Sequence, residues 1–545
     1  VADTEIQIAA TTIDINGAVA LNGAITGATN ITLSGELDAA TGDFSGAVDI
    51  DGSLDVDGVT NLDVVDIDGA VDMASTLGVT GIITGSAGYA NHGVGTDNVA
   101  FGNAALDSLS SGAGNVGIGD SAATALSSGS NNIAIGRDAM NAGVVTGGDN
   151  VGVGRSTLAA LTSASRNVAL GTLALNANTV GAKNVAIGMD ALKTNVDGSR
   201  SVAVGDSALA TQEPASAVDM YNVAVGHGAG AAVTTGSQNT LIGGLAGDST
   251  TTADNITAVG YKALEANTTG TQNVAVGSLA LDSNTTSNNN TAVGHAALTG
   301  NTTGAGNTAV GQGSLSANTT ASNNTAVGLD ALNTNTTGDF NIAVGGNALK
   351  ANVLGDRSVA IGPNALASQA PTSNVDMYNV AVGLNAGAAV TTGVQNTIIG
   401  GLAGDVLTDA DSNVAIGFAA LSSDTLGSKS VAIGTATLNN QNFTSATDSF
   451  NTAVGHEAGL SVTTGTQNTF IGGLAGDATT TASNNTALGY LALSANTTGA
   501  SNVAIGVAAG DSNTTGANNV GVGVNSLGTN TTASNNTAVG HEALK

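Results

Sequence analysis

The chain of 545 residues has no Cys and no Trp. Without Cys there is neither a disulfide scaffold nor a thiolate-ligated zinc site. Only 2% of residues are aromatic and only 3 are Pro. A globular enzyme of this length would ordinarily build its cores around far more aromatic side chains. Charge is scarce, at 10% of residues, and one sign is nearly missing: Lys+Arg is 11 and Asp+Glu is 41, leaving a net charge of −30. The first basic residue is Arg137, so an extended basic stripe for nucleic acid is lacking. No apolar run approaches ~18 residues, and the sequence offers no membrane insertion. Wholesale disorder fits poorly with 41% hydrophobic content. A repetitive β architecture remains.

What is plentiful is Gly, with 78 residues, and it divides the chain in two. Residues 1–88 hold 14 acidic residues and no Lys or Arg. Short alternating runs such as Asp49-Ile50-Asp51-Gly52 and Asp66-Ile67-Asp68-Gly69 predict an acidic short-strand β shaft with turns at the glycines. Pairs such as Asp49 with Asp51 and Asp66 with Asp68 share a strand face and offer oxygen ligands for Ca²⁺, the one cofactor the sequence suggests; solvated acidic surface is the simpler reading. The chain begins at Val1 and stops in mid-repeat at Lys545, from which we expect a further C-terminal segment.

Residues 89–545 follow another rule. Asn-(Thr/Val/Ile)-Ala-(Val/Ile)-Gly-x-x-Ala-Leu recurs with its central Gly at 26 positions from Gly102 to Gly540, nearly always 17 residues apart. One step is 18 and three are 21, after Gly205, Gly362 and Gly434. So fixed a period predicts a β-solenoid of 26 repeats. The pattern assigns a strand ending at the Gly, a turn, and a second short strand through Ala-Leu. Side chains alternate along a strand. Val or Ile before the Gly is expected to fill the coil interior, and the Ala/Gly face to lie where another backbone approaches closely. A strand buried on both faces requires more than one chain, or else a single-chain β-helix with a narrow interior. At Leu241, Ile398 and Phe470 the small position turns large, and Gly247, Gly404 and Gly476 nearby remove bulk. The recurrent Asn before the strand predicts an amide ladder between coils ~4.8 Å apart, giving a rod on the order of 125 Å long. The Asn-Thr-Thr-Gly stretches, such as Asn267 to Gly270, are read as outer turns rather than glycosylation acceptors.

The stretches Arg200-Ser201-Val202-Ala203-Val204-Gly205, Arg357-Ser358-Val359-Ala360-Ile361-Gly362 and Lys429-Ser430-Val431-Ala432-Ile433-Gly434 resemble the YadA-like head repeat of trimeric autotransporter adhesins. The resemblance covers roughly residues 95–545. It departs from that family in its longer repeat and in Asn where Ser often stands. The longer Asn-Thr-Ala-Val-Gly form with Asn-Thr-Thr-Gly is similar to repeats in phage tail fibres, whose shafts the acidic segment also resembles. With the packing pattern, the resemblance implies a homotrimer of left-handed β-rolls, an elongated all-β structure preceded by the shaft.

No catalytic constellation is visible. Ser, His and Asp do not cluster as a triad, and no carboxylate pair sits in an aromatic groove. Gly243-Gly244-Leu245-Ala246-Gly247 lacks the Lys and helix of a phosphate loop. Of five histidines, His227, His295, His456 and His541 take the unrestricted place after a motif Gly; they read as solvated turn residues, with a three-fold metal or anion site as the sharper option. The long steps carry the rare residues: Tyr221, Tyr378 and Phe450, with Met220 and Met377, are the candidate receptor contacts.

The expected protein is a non-enzymatic structural fibre on a virion or other extracellular surface, a phage tail fibre or related appendage. Its partners would be a host-surface glycan or protein receptor and a virion or cell-surface anchor. A bacterial surface adhesin of the trimeric autotransporter type is the alternative. A monomeric ice-binding solenoid is a weaker one.

Overall fold

The computed structural model describes residues 97–545. The shaft expected at 1–88, the candidate Ca²⁺ ligands Asp49, Asp51, Asp66 and Asp68, and His92 lie outside the described residues. The rest is an all-β solenoid. Each coil supplies one three-residue strand, from Val99–Phe101 to Thr537–Val539, and these form a single 26-stranded parallel sheet. Equivalent residues always pair: Thr291 with Thr308, Ala292 with Ala309, Val293 with Val310. A one-residue slip would exchange the two faces of a strand, so the period fixes the register.

Which face points inward is the reverse of the expectation. Ala134, Ala292 and Ala432, like nearly all their counterparts, are wholly buried. The residues just before the Gly stand at the surface: Leu170, Ile187, Val293 and Ile399 are 37%, 38%, 36% and 37% exposed. The reason is volume. Inside one coil the strand's Ala meets inward Asn, Ala and Leu columns, such as Asn290, Ala297, Leu298 and Asn301, all 0% exposed. Those side chains fill the narrow lumen, and a branched strand residue has no place there.

The expected strand through Ala-Leu is also absent. Alternate residues there adopt left-handed backbone, as at Leu279 (φ 58) and Leu281 (φ 51), which curls the chain instead of extending it. The motif Gly is obligatory for two reasons. Gly277 has φ 138, and a Cβ on it would lie 2.4 Å from the carbonyl oxygen of Gly294 in the next coil.

Two polar ladders run up the interior. In the first, Asn115 Oδ1 accepts the backbone N–H of Asn132 at 2.9 Å, and Asn115 Nδ2 donates to Gly129 O at 3.0 Å. Each amide thus couples to the next coil's backbone more than to its counterpart's side chain. The second ladder is made by the Asn of Asn-Thr-Thr-Gly. Nδ2 of Asn284, Asn301 and Asn318 donates to Oδ1 of Asn267, Asn284 and Asn301 at 2.8, 3.0 and 2.8 Å. These Asn residues are 0% exposed, so the matching glycosylation sequons present no accessible amide. The following Thr268, Thr302 and Thr319 each donate a hydroxyl to the next coil's carbonyl, at 3.0, 3.0 and 3.1 Å.

The three enlarged strand residues are accommodated by glycines in two coils. A Cβ on Gly230 would lie 2.5 Å from Leu241, and one on Gly247 would lie 2.8 Å from it. Gly459 and Gly476 flank Phe470 in the same way, at 2.9 and 2.6 Å. For Ile398, a Cβ on Gly387 would lie 2.9 Å away, and one on Gly404 3.6 Å away. Each of these glycines stands where other coils have Leu.

Candidate functional site

The three long steps share one construction. Before each, the strand's leading Asn shortens to Ser (Ser201, Ser358, Ser430) and the second ladder's Asn lengthens to Gln (Gln212, Gln369, Gln441). The longer amide then bridges both ladders. Gln212 Nε2 donates to Asn195 Oδ1 at 2.9 Å, while its Oε1 accepts from Ser201 Oγ at 3.1 Å and Asn222 Nδ2 at 2.9 Å. Gln369 repeats this with Asn352, Ser358 and Asn379. The inner wall therefore stays hydrogen-bonded while extra residues leave the coil, as buried polar groups demand.

The added residues project outward. Residues 215–219, 372–376 and 444–446 are exposed, while Pro214, Pro371 and Phe443 tuck under them. The returning chain rejoins its neighbour in parallel: Ser199 bridges Asp219, Gly355–Asp356 pairs with Val375–Asp376, and Gly427–Ser428 with Thr447–Asp448. This return sets three groups side by side at each step. Arg200 Nε lies 2.9 Å from Asp219 and its guanidinium 5.6 Å from the Tyr221 ring centre. Arg357 pairs with Asp376 and lies 5.9 Å from Tyr378 and 5.7 Å from Phe340. Lys429 lies 2.5 Å from Asp448 and 5.3 Å from Phe450. Tyr221 and Tyr378 also donate their hydroxyls to Asp219 and Asp376, at 3.2 and 3.0 Å. Each cluster presents an aromatic ring, a cation and a carboxylate, suited to non-covalent contact.

The structure separates the five candidate contacts. Tyr221, Tyr378 and Phe450 are 48%, 48% and 51% exposed. Met220 and Met377 are 1% and 0% exposed and cannot touch a receptor. Alternation along the returning chain turns each Met into the coil when the next aromatic turns out. A further exposed set escaped the sequence reading: Tyr261, Phe418 and Tyr490, at 54%, 58% and 53%. Each sits one coil beyond an enlarged strand residue and lies over a Gly of the preceding coil: a Cβ on Gly244, Gly401 or Gly473 would lie 3.7, 3.6 or 3.5 Å from the ring. The signal was this threefold Gly-then-aromatic recurrence. His227, His295, His456 and His541 are exposed and spread over distant coils. Among the described residues, no group of three or more His, Asp or Glu gathers as for a metal ion, and no helix is long and apolar enough to cross a membrane.

The third cluster stands over a buried acid. Asp424 occupies the ladder position of Asn195 and Asn352, and is 0% exposed. It accepts Gln441 Nε2 at 2.6 Å and the N–H groups of Gly427 and Phe443 at 3.0 and 3.2 Å. Burial outweighs these bonds and pushes its carboxyl above the ordinary range. A carboxyl whose pKa rises on folding favours the folded state when protonated. That advantage is complete below the unfolded value and is lost as pH rises through the folded one. Local protection of the Gly427 and Phe443 amides, corrected for intrinsic exchange, should therefore fall as pH rises from the ordinary carboxyl range through the raised folded-state value, and Asp424→Asn should flatten the fall. A pH-independent wild type would refute this.

The chain matches no protein-family model and no curated protein.

Proposed function

We propose that this chain is the rod of a homotrimeric attachment fibre, of the phage tail-fibre or virion-appendage kind, working by reach and by repeated surface contacts. The observation that carries the reading is the outward aliphatic stripe. Every one of the 26 strands turns a Val, Ile, Leu or Phe outward just before its Gly, and Val, Ile or Thr two residues earlier. An uncharged apolar face of this length is a partner surface. Identical chains are the fitting partner, because only a copy repeats the same step over the same length, and closed rotational symmetry satisfies all copies alike. Three left-handed coils around one axis is the arrangement the repeat resemblance implies. The interface is then the aliphatic face, not the Ala/Gly face of the sequence-based expectation. The exposed clusters at Tyr221, Tyr378 and Phe450 are the receptor contacts, each weak and made effective by repetition along and around the rod.

Light scattering on the full chain tests this. The expected mass is that of three chains. Val293→Asp with Val310→Asp places charges in the stripe without touching the lumen, and should give single chains that keep their β-sheet circular dichroism. A wild-type protein at the mass of one chain would overturn the proposal.

A further inference from the structure

Six of the 11 basic residues fall between Arg137 and Arg200. Four acids accompany them, Asp138, Asp149, Asp190 and Asp197, so the segment carries 6 − 4 = +2 in a chain of −30. From residue 150 to residue 189 there is no Asp or Glu at all. The basic residues are also aligned. Arg166, Lys183 and Arg200 occupy one position in three successive coils, each directly before a buried ladder residue, Asn167, Asn184 or Ser201. Their backbones are superposable: φ is 62, 61 and 62. Their N–H groups donate to the preceding coil alike, to Gly148 O at 3.1 Å, Ser165 O at 3.1 Å and Ala182 O at 3.0 Å. The strands that follow pair Val168 with Val185 and Val185 with Val202. Three exposed cationic side chains thus leave the same side of the solenoid ~4.8 Å apart.

Like charges at that spacing repel. The other cations of this column are each given a carboxylate: Asp219 for Arg200 at the upper end of the row, Asp376 for Arg357, Asp448 for Lys429. Arg166 and Lys183 form no ion pair among the described residues. Below the row stands Asp149, whose Oδ1 accepts Asn131 Nδ2 at 3.3 Å. Above it the Tyr221 ring closes the column beside Arg200. The result is an open basic row with an aromatic end, in a protein otherwise strongly acidic.

We propose that Arg166 and Lys183 bind a short acidic oligosaccharide, an extended chain bearing carboxylate or sulfate groups, with Arg200, held by Asp219, bordering the site and Tyr221 stacked on a sugar face at one end. The anionic groups replace the missing internal carboxylates. One sugar unit advances along its chain by about the length of one coil step, so successive anions meet successive coils. A polynucleotide fits less well. Its affinity grows with the number of phosphates neutralised, whereas this row offers two cations without an internal carboxylate, a third held by Asp219, and ends at Asp149. The site borders the first long step at Arg200 and Tyr221, and its Tyr221 end rests on the receptor-contact role proposed above.

The test uses the full chain at low salt with two probes, a galacturonic acid hexamer and a heparin-derived hexasaccharide, to separate carboxylate from sulfate recognition. Binding of either by calorimetry, weakened by added salt, is expected. Lys183→Glu and Arg166→Glu should each weaken it at least ten-fold, and Lys183→Gln by less. Lys262→Glu, at an isolated cation paired with Glu265, should leave it unchanged. Unaltered circular dichroism establishes that the variants are folded. The proposal is overturned if neither hexamer binds, if Lys262→Glu costs as much as Lys183→Glu, or if single-stranded DNA of twenty nucleotides binds more tightly than both.

Discussion

Phe470→Ala is expected to destabilise its coils by about 3–5 kcal/mol, the usual loss for emptying a buried aromatic site. The unusual expectation is the repair. Phe470 fills the space that Leu fills elsewhere, and Gly459 and Gly476 stand at the two vacated Leu positions. Adding Gly459→Leu and Gly476→Leu to Phe470→Ala should recover most of the loss. The backbone permits it: φ at these glycines is 61 and 59, while Leu438 and Leu493 hold the equivalent place at 47 and 52. Gly476→Leu alone should be harmful, because its Cβ would already lie 2.6 Å from the ring, and overpacking a tight core costs about 1–3 kcal/mol. A solenoid melts in neighbouring units rather than as a whole, so the measurement is hydrogen exchange at local amides such as that of Gly476, bonded to Ala492 O at 2.9 Å. If the triple variant is no better than Phe470→Ala, the exchange of volume between columns is refuted.

Breaking the second ladder in mid-run should be about as damaging. Asn318 Nδ2 donates to Asn301 Oδ1 at 2.8 Å and to Ala321 O at 3.0 Å, and its Oδ1 accepts Asn335 Nδ2 at 3.1 Å. Asn318→Leu suits the shape of the lumen, since Leu126, Leu161 and Leu407 hold the same place and are fully buried. Shape is not the difficulty. The change leaves Asn301 Oδ1 without a partner, at about 1–3 kcal/mol, and takes one bond each from Ala321 O and Asn335 Nδ2, which keep Asn307 Nδ2 at 2.8 Å and Gly338 O at 3.0 Å, at about 0.5–1.5 kcal/mol each, so several kcal/mol should be lost. Changing Asn301, Asn318 and Asn335 to Leu together should cost less per site, because partners are then removed along with the groups they served. Amide exchange in the coils from 300 to 340 reports both. A single Leu with protection equal to wild type would mean that water enters and serves Asn301 Oδ1.

The solenoid was legible because the chain repeats itself. The period set the coil and the coil set each strand, without any need for propensity. The inward face was not legible from hydrophobicity, because Val and Ile outrank Ala and Asn on any such scale while volume decides what a narrow lumen can hold. The deciding clue was available. Gly230 precedes and Gly247 follows Leu241, and the loss of Leu on both sides of one large residue places that residue among the inner columns. At the candidate site, Tyr221, Tyr378 and Phe450 stood out as rarities. The burial of Met220 and Met377 depended on the return path of the added loop, which spacing alone does not give.

The bridging glutamines bear on how such a chain lengthens and shortens. Between Gly260 and Gly345 neighbouring coils are interchangeable: each offers the same Asn above and below. A duplication or deletion of 17 residues there leaves every inner bond with a partner. Around a long step this freedom is gone. Ser201 needs Gln212, Gln212 needs Asn195 and Asn222, and Leu241 needs Gly230 and Gly247. Four coils are tied by reciprocal requirements, and loss of any one strands its neighbours. Heredity can therefore edit the plain stretches a coil at a time, but must copy or discard the looped ones whole. The three looped stretches repeat the Ser, the Gln and the paired Gly at the same offsets, as whole-block duplication would leave them.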